Sequence, residues 1–313
     1  MRGLLVTNGF LRTNKFVEHY EWLAKAAAGQ GIALDLWDNG TIPVSYTRES
    51  SAALTRRMCP YQFVIYWDKD VRLGRYLTEV CRPLRIPVYN SVEAMAVCDD
   101  KSETYRVLQL WNDDPLHVKE QIPLLPTIVA PMTYANVGYT NLDFLAEVIR
   151  QLQFPMVVKE CFGSFGQQVS LVPDEEALRR QTRQLAGTPF LYQQYLRQSH
   201  GHDVRLQVVG NQVVAAMHRF SPSGDFRANL TNGGEMEPYE PSQVERDLAL
   251  RTVQALGLDF AGVDLLFSQG PTGDADVVCE VNSNAHFRNI ADCTGVNVAE
   301  KIMEYIISRQ GKS

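Results

Sequence analysis

The 313-residue chain is 45% apolar and 21% charged, with 36 acidic against 30 basic residues and a formal net charge of −6. That composition excludes disordered, collagen-like and low-complexity classes, and it disfavours a broad nucleic-acid-binding surface, which reads basic. No apolar run reaches the roughly 18–20 residues of a membrane span, and the length exceeds what one core holds, roughly 250–300 residues, so two or three packed units are expected.

Residues 1–9 lack the long apolar segment and cleavage site of a signal peptide, and 3–7 read as a first strand. Phe16, Val17, Tyr20, Leu23, Ala24 and Ala27 recur at helical spacing, with Gly29 and Gly31 ending that helix. Strands follow at 32–37 and 62–67, a helix at 71–84 and a short strand at 86–90. This alternation implies a small parallel sheet with crossover helices. A dinucleotide fingerprint would have to follow the first strand, and Thr7-Asn8-Gly9-Phe10-Leu11-Arg12 does not supply it, which disfavours a nicotinamide dehydrogenase. The six cysteines are scattered, without C-x-x-C or metal-finger spacing, and predict reduced thiols in a cytoplasmic protein.

A loop-rich connection runs over 112–130. A strand at 154–159 then leads into the loop Gly163-Ser164-Phe165-Gly166-Gln167, a return strand at 168–172 and a helix opened by Pro173-Asp174-Glu175-Glu176. Strands at 190–196, 204–209, 213–219, 261–267 and 276–281 follow, with helices at 243–256 and 296–307. Strands grouped apart from helices read as α+β, unlike the N-terminal alternation.

Three constellations could carry chemistry. Asp264 sits inside an apolar strand, and Glu280 and Asn282 share one face of another by the two-residue side-chain period. This is either a hard-oxygen set for magnesium or a polar strand face ended by turn residues. Lys159 ends a strand before the glycine loop, which either approaches phosphates or simply turns a β-hairpin. Arg205, Arg219 and Arg227 either converge on phosphates or a carboxylate, or are exposed strand arginines. There is no P-loop, no G-x-S-x-G elbow and no H-E-x-x-H, and the histidines at 200, 202, 218 and 286 lack a shared ligand spacing.

Taken in order, the pieces resemble the ATP-grasp superfamily, specifically its RimK-like carboxylate–amine ligases, over roughly residues 90–308. The series begins at Asn90-Ser91 and Asp99-Asp100-Lys101, then reaches Val157-Val158-Lys159 and the glycine loop. Tyr192-Gln193-Gln194-Tyr195-Leu196 and Gly201-His202-Asp203-Val204-Arg205 come next, then Gly224-Asp225-Phe226-Arg227-Ala228-Asn229-Leu230 and Gly233-Gly234. Gly262-Val263-Asp264, Glu280-Val281-Asn282 and Thr294-Gly295-Val296-Asn297 close it. The resemblance implies an ATP-grasp fold, two α+β lobes gripping ATP behind a small parallel-sheet domain. The units expected are residues 1–92, a lobe over 93–187 with the glycine loop, and a lobe over 188–313 with the magnesium site.

The resemblance also implies roles. Lys101 and Lys159 match lysines that touch ATP phosphates, and residues Gly163, Ser164, Phe165, Gly166 and Gln167 match the lid over them. Gln193, Gln194, Tyr195 and Leu196 match the hinge that reads the adenine edge, and Asp203 matches the ribose-binding acid. Arg227 and Asn229 match a pair near the triphosphate, and Arg219 a basic residue that offsets charge on the transferred phosphoryl group. Asp264, Glu280 and Asn282 match ligands of magnesium, two ions, with manganese able to substitute. Two departures stand out: Gln194 replaces a common hinge Glu, and Ser283-Asn284-Ala285-His286-Phe287-Arg288 replaces the Ser-Pro-Gly form of glutamate-adding members. Asn284, His286 and Arg288 are therefore candidate substrate contacts. The activity implied is ATP-dependent amide formation between a small-molecule or peptide carboxylate and an amine, through an acylphosphate. A kinase-like or regulatory ATP-binding protein is the competing reading. Neither nucleic acid nor a membrane is expected as a partner, and a homo-oligomer is left open.

Overall fold

The computed structural model describes residues 1–163 and 166–311, with the side chains of residues 14 and 15 left aside. The N-terminal part alternates β1 (Arg2–Thr7), α1 (Asn14–Gly29), β2 (Ala33–Asp38), α2 (Arg48–Met58), β3 (Phe63–Trp67), α3 (Val71–Cys81) and β4 (Val88–Tyr89). Its four strands are parallel, in the order β2-β1-β3-β4. Leu4, Val6, Val64 and Tyr66 pack on one face, against Leu54, Leu73 and Leu77. Leu5, Phe63 and Ile65 pack on the other, against Leu23 and the distant Ile302 and Ile306. Burial on both faces is why β1 and β3 read as continuous apolar runs instead of alternating ones.

α4 (Val92–Asp99) and α5 (Lys101–Asp113) follow, two helices inside a stretch for which sequence periodicity predicts none. Asp100 caps α5 by accepting the Ser102 and Glu103 amide protons. A four-stranded antiparallel sheet comes next, in the order β5-β8-β6-β7. It is built from β5 (Thr127–Val129), β6 (Met156–Glu160), β7 (Val169–Val172) and β8 (Phe190–Gln194), with α6 (Leu145–Leu152) and α7 (Glu175–Gln184) between strands. The boundary expected at 187/188 cuts this sheet, because β8 pairs with both β5 and β6. The segment 93–125 departs from the expected division in the other direction. Ala94, Leu108 and Ile122 share a core with Leu206, Leu248 and Val263 of the C-terminal lobe.

That lobe is a five-stranded antiparallel sheet, β11-β10-β9-β12-β13. Its strands are β9 (His202–Val209), β10 (Gln212–Phe220), β11 (Glu235–Pro238), β12 (Phe260–Phe267) and β13 (Ala275–Asn282), with α8 (Gln243–Ala255) before β12. α9 (Arg288–Thr294) and α10 (Val298–Gln310) carry the chain back onto the first sheet. Asn90 clips the N-terminal part to this lobe. Fully buried, it accepts the Asp259 and Phe260 amide protons at 2.7 and 3.0 Å and donates to the Phe260 and Ser283 carbonyls at 2.9 and 2.8 Å. No helix among the described residues is long and apolar enough to cross a membrane.

Candidate active site

The two antiparallel sheets line a common cleft with about 870 Å³ of empty space. Leu125, Val157, Leu196 and Leu266 give it apolar walls beside its charged lining residues. The charged set follows from strand register alone. Asp203 lies opposite Arg219, Arg205 opposite Asp264, and Asp264 opposite Glu280, across four successive strands. Asp203 and Arg205 are two residues apart on β9, so the whole set falls on one sheet face.

Arg205 grips Asp264 with Nε and Nη2, both at 2.6 Å, and Arg219 grips Asp203 at 2.6 and 2.8 Å. Arg219 Nη2 also reaches Asp264 Oδ2 at 3.0 Å. Burial pushes the Asp264 carboxyl up, but Arg205 and Arg219 outweigh it and hold the group below the ordinary carboxylate value. Burial dominates at Asp203, and Asp264 adds to it against Arg219, so that carboxyl lies above its ordinary value. Glu280 is the more open carboxylate, its side chain 30% exposed and its Oε1 3.4 Å from Lys101 Nζ.

Cations approach from the other side. Lys101, at the start of α5, donates Nζ to the Gly163 carbonyl at 2.9 Å. Lys159, buried on β6, points Nζ toward Cys279 Sγ at 3.7 Å. Burial raises the Cys279 thiol, with Lys159 opposing. Arg227 donates Nη1 to the Gly166 carbonyl at 3.0 Å while Asp225 holds the rest of its fork. Gly166 has φ +70, and a Cβ there would stand 2.6 Å from Asn229 Oδ1, so only glycine fits this close approach. At the hinge, Gln193 is buried and donates Nε2 to Thr127 Oγ1 at 2.9 Å. The Gln194 amide is spent on the Pro126 carbonyl, which withdraws it from ligand recognition.

Lys101, Lys159, Gly163, Gly166, Gln193, Gln194, Tyr195, Leu196, Asp203, Arg219, Arg227, Asn229, Asp264 and Glu280 all line the cleft. Gln167 is not among the lining residues, and Ser164 and Phe165 lie outside the described residues. Asn282 and Asn284 line an adjoining, smaller cleft with Asp68 and Lys69, at the carboxyl end of β3. His286 and Arg288 line neither cleft. The Phe287 amide donates to His19 Nε2 at 3.0 Å, which turns this segment toward α1. There His286 packs on Phe16 and His19, while Arg288 pairs with Asp292 and Glu18 and lies over Trp22. The expected substrate contact is thus replaced, for these two residues, by packing between α9 and the N-terminal part.

Arg219 also differs from expectation. Its Nε and Nη2 are committed to two carboxylates, so it positions Asp203 and Asp264 before it can meet a phosphoryl group. Arg205, a candidate phosphate or carboxylate contact by sequence, is instead committed through Nε and Nη2 to Asp264 and does not line the cleft. Its signal was the two-residue period from Asp203. Among the described residues no three His, Cys, Asp or Glu side chains gather at ligand distance, so the candidate metal set is two carboxylates and an amide. These are all-oxygen donors suited to magnesium. Glu280 is open to the cleft, and Asp264 accepts three guanidinium contacts against the roughly four lone-pair sites of a carboxylate. The two carboxylates fit the ion, whereas Asn282 lines the smaller cleft.

Comparison with known proteins places these features in context. Residues 100–306 match the RimK-like ATP-grasp domain. A Mycoplasma pneumoniae protein described as "Uncharacterized protein MG012 homolog" is 34% identical over 246 residues, 78% of this chain and 79% of its own length. "Probable alpha-L-glutamate ligase 2" of Shewanella amazonensis is 41% identical over 155 residues, 49% of this chain, and the match spans only 50% of that ligase. Among solved structures, a RimK domain ATP-grasp protein from Sphaerobacter thermophilus superposes with a TM-score of 0.68 at 20% identity, covering 97% of this chain and 99% of its own.

Proposed function

Because the chain belongs to the RimK-like ATP-grasp family, we propose that its cleft binds magnesium–ATP and joins a carboxylate to an amine. The observation that carries this reading is the direct opposition of Asp264 and Glu280, with Lys101 beside Glu280 and Lys159 lining the same cleft. In the first step the γ-phosphoryl group passes to a substrate carboxylate oxygen, and ADP leaves. In the second the amine attacks the acyl carbon, loses a proton and expels phosphate, leaving an amide. Magnesium held by Asp264, Glu280 and Asn282, as two ions or with manganese in its place, would neutralise phosphate charge.

The chain's own part is positioning and charge. Lys101 and Lys159 supply fixed positive charge at the phosphate end, and Arg227 and Asn229 flank the glycine loop there. Leu125, Val157, Leu196 and Leu266 supply an apolar slot for a base. Arg205 and Arg219 hold the Asp264 carboxylate ionised and in place. A matrix of acids against amines, scored by ADP release and product mass, tests this. ADP formed only with both substrates, and abolished in Glu280→Gln, supports ligation. ADP from an acid alone identifies a phosphotransferase, and ATP binding without turnover a binding protein.

A further inference from the structure

β9 and β10 pair as far as His202 and Phe220, which lie opposite each other. The chain leaves that last pair in two loops, back along 195–201 to the hinge and on through 221–229 to Arg227 and Asn229. Backbone bonds join the loops at their root. The Ser221 amide donates to the Gly201 carbonyl at 2.8 Å, and the Gly201 amide to the Phe226 carbonyl at 3.0 Å. Gly201 has φ +69, and a Cβ there would stand 2.9 Å from the Asp225 carbonyl oxygen, so glycine is what lets the loops approach. Further out, Tyr195 and Phe226 meet edge to face, ring centroids 6.3 Å apart, and both line the cleft. His200 spans the gap between the outer parts. Its Nδ1 meets the Tyr195 hydroxyl, and its Nε2 lies 3.1 Å from the Gly224 carbonyl oxygen.

A carbonyl oxygen only accepts, so in the neutral imidazole the proton sits on Nε2, and Nδ1 offers the lone pair that takes the tyrosyl proton. Both ring nitrogens are thus used, one on each loop. His200 itself is exposed and is not among the residues lining the cleft, so it acts on a ligand there only through the groups it holds. On one side that group is Tyr195. On the other it is Gly224, next to Asp225, whose carboxylate grips Arg227 at 2.8 and 3.1 Å. Arg227 in turn donates to the Gly166 carbonyl of the glycine loop. Residues 221–229 belong to no strand, so no sheet ladder fixes Arg227, and its place depends on such links. A continuous chain of covalent and hydrogen bonds therefore runs from the hinge through His200 to the arginine at the glycine loop.

We infer that His200 is a positioning residue of the nucleotide site, fixing the loop that carries Arg227 against the hinge so that the arginine is in place when ATP binds. This rests on the nucleotide reading of the cleft. The test is calorimetric binding of magnesium–ATP to the full chain and to the variants His200→Phe, His200→Gln and Arg227→Met, and to the double variant His200→Phe with Arg227→Met. His200→Phe keeps a ring but loses both bonds. It should weaken binding about two- to tenfold, the range of one neutral hydrogen bond, with an unchanged Tm. His200→Gln, whose amide can donate to Gly224 and accept from Tyr195, should restore most of the affinity. With Arg227→Met already present, His200→Phe should cost nothing further, because the group it positions is gone. A merely structural role would lower Tm and would not depend on Arg227. Wild-type affinity in His200→Phe overturns the inference, as does the same loss with and without Arg227. A wild type that binds no magnesium–ATP overturns the nucleotide reading itself, and the inference with it.

Discussion

Arg219 reaches over β9 to Asp264, at 3.0 Å, with the same guanidinium that holds Asp203 at 2.6 Å. One buried cation therefore ties together acids on two strands, and Arg205, on β9 beside Asp203, completes the set. All four side chains are largely withdrawn from water, so each charge depends on the others for compensation.

Removing that cation should be costly. Arg219→Met leaves Asp203 without its partner and Asp264 with one fewer, and is expected to destabilise the fold by about 3–5 kcal/mol, read from urea unfolding. Arg219→Lys keeps the charge but cannot fork to both acids. It should recover part of the stability while the KM for ATP stays raised. Wild-type stability in both variants would contradict the clamp.

Acid should unfold the protein through Asp264. Its folded carboxyl is held below the ordinary value because Arg205 and Arg219 outweigh burial, so the folded state binds that proton more weakly than the unfolded chain. The resulting stability is complete above the unfolded carboxylate value, about 4, and is lost as pH falls through the folded one. Asp203 contributes with the opposite sign, since burial holds its carboxyl up. Urea midpoints measured between pH 7 and pH 3 should fall in the acid range, and Asp264→Asn should flatten that fall.

The two glycines of the loop should differ in tolerance. A Cβ at Gly166 meets Asn229 Oδ1 at 2.6 Å on a backbone with φ +70, whereas one at Gly163 meets mainly the flexible side chain of Gln168. Gly166→Ala is expected to lower kcat/KM for ATP about tenfold or more with little change in Tm, since strain at a left-handed position costs roughly 1 kcal/mol before any clash. Gly163→Ala should act more mildly. Equal effects would place the constraint elsewhere.

Asn90→Ala should lower stability strongly without touching the cleft. It leaves the buried Phe260 amide, the half-buried Asp259 amide and two carbonyls of the C-terminal lobe without this partner. Each unsatisfied group costs about 1–3 kcal/mol, so a loss of about 3 kcal/mol or more is expected from thermal or urea unfolding.

Arg288→Ala separates packing from substrate binding. Its ion pairs with Asp292 and Glu18 are half exposed, and such pairs contribute about 0–1 kcal/mol. Magnesium–ATP affinity should remain that of the wild type, with a Tm change of a few degrees at most. A selective rise in the KM of an acid or amine substrate would return Arg288 to the substrate site.

The parallel N-terminal sheet, the hairpin around the glycine loop and the acids of β12 and β13 were readable in the chain, because strand periodicity and glycine placement are local properties. Asp264 was conspicuous for the same reason, a carboxylate inside an apolar strand. The helices α4 and α5 were not readable, since their apolar residues are shared with a core built from β9, β12 and α8 far along the chain. Nor was the site's electrostatics. Which arginine meets which acid depends on the order β10-β9-β12-β13, and strand order is decided by long-range packing. Local pattern also placed His286 and Arg288 beside the metal ligands, but one backbone bond to His19 turns them toward α1. Residue types and their spacing thus determined the chemistry available to this protein. Only the tertiary structure decided which charges neutralise one another and which remain open to a ligand, because that depends on burial and on distances between strands remote in sequence.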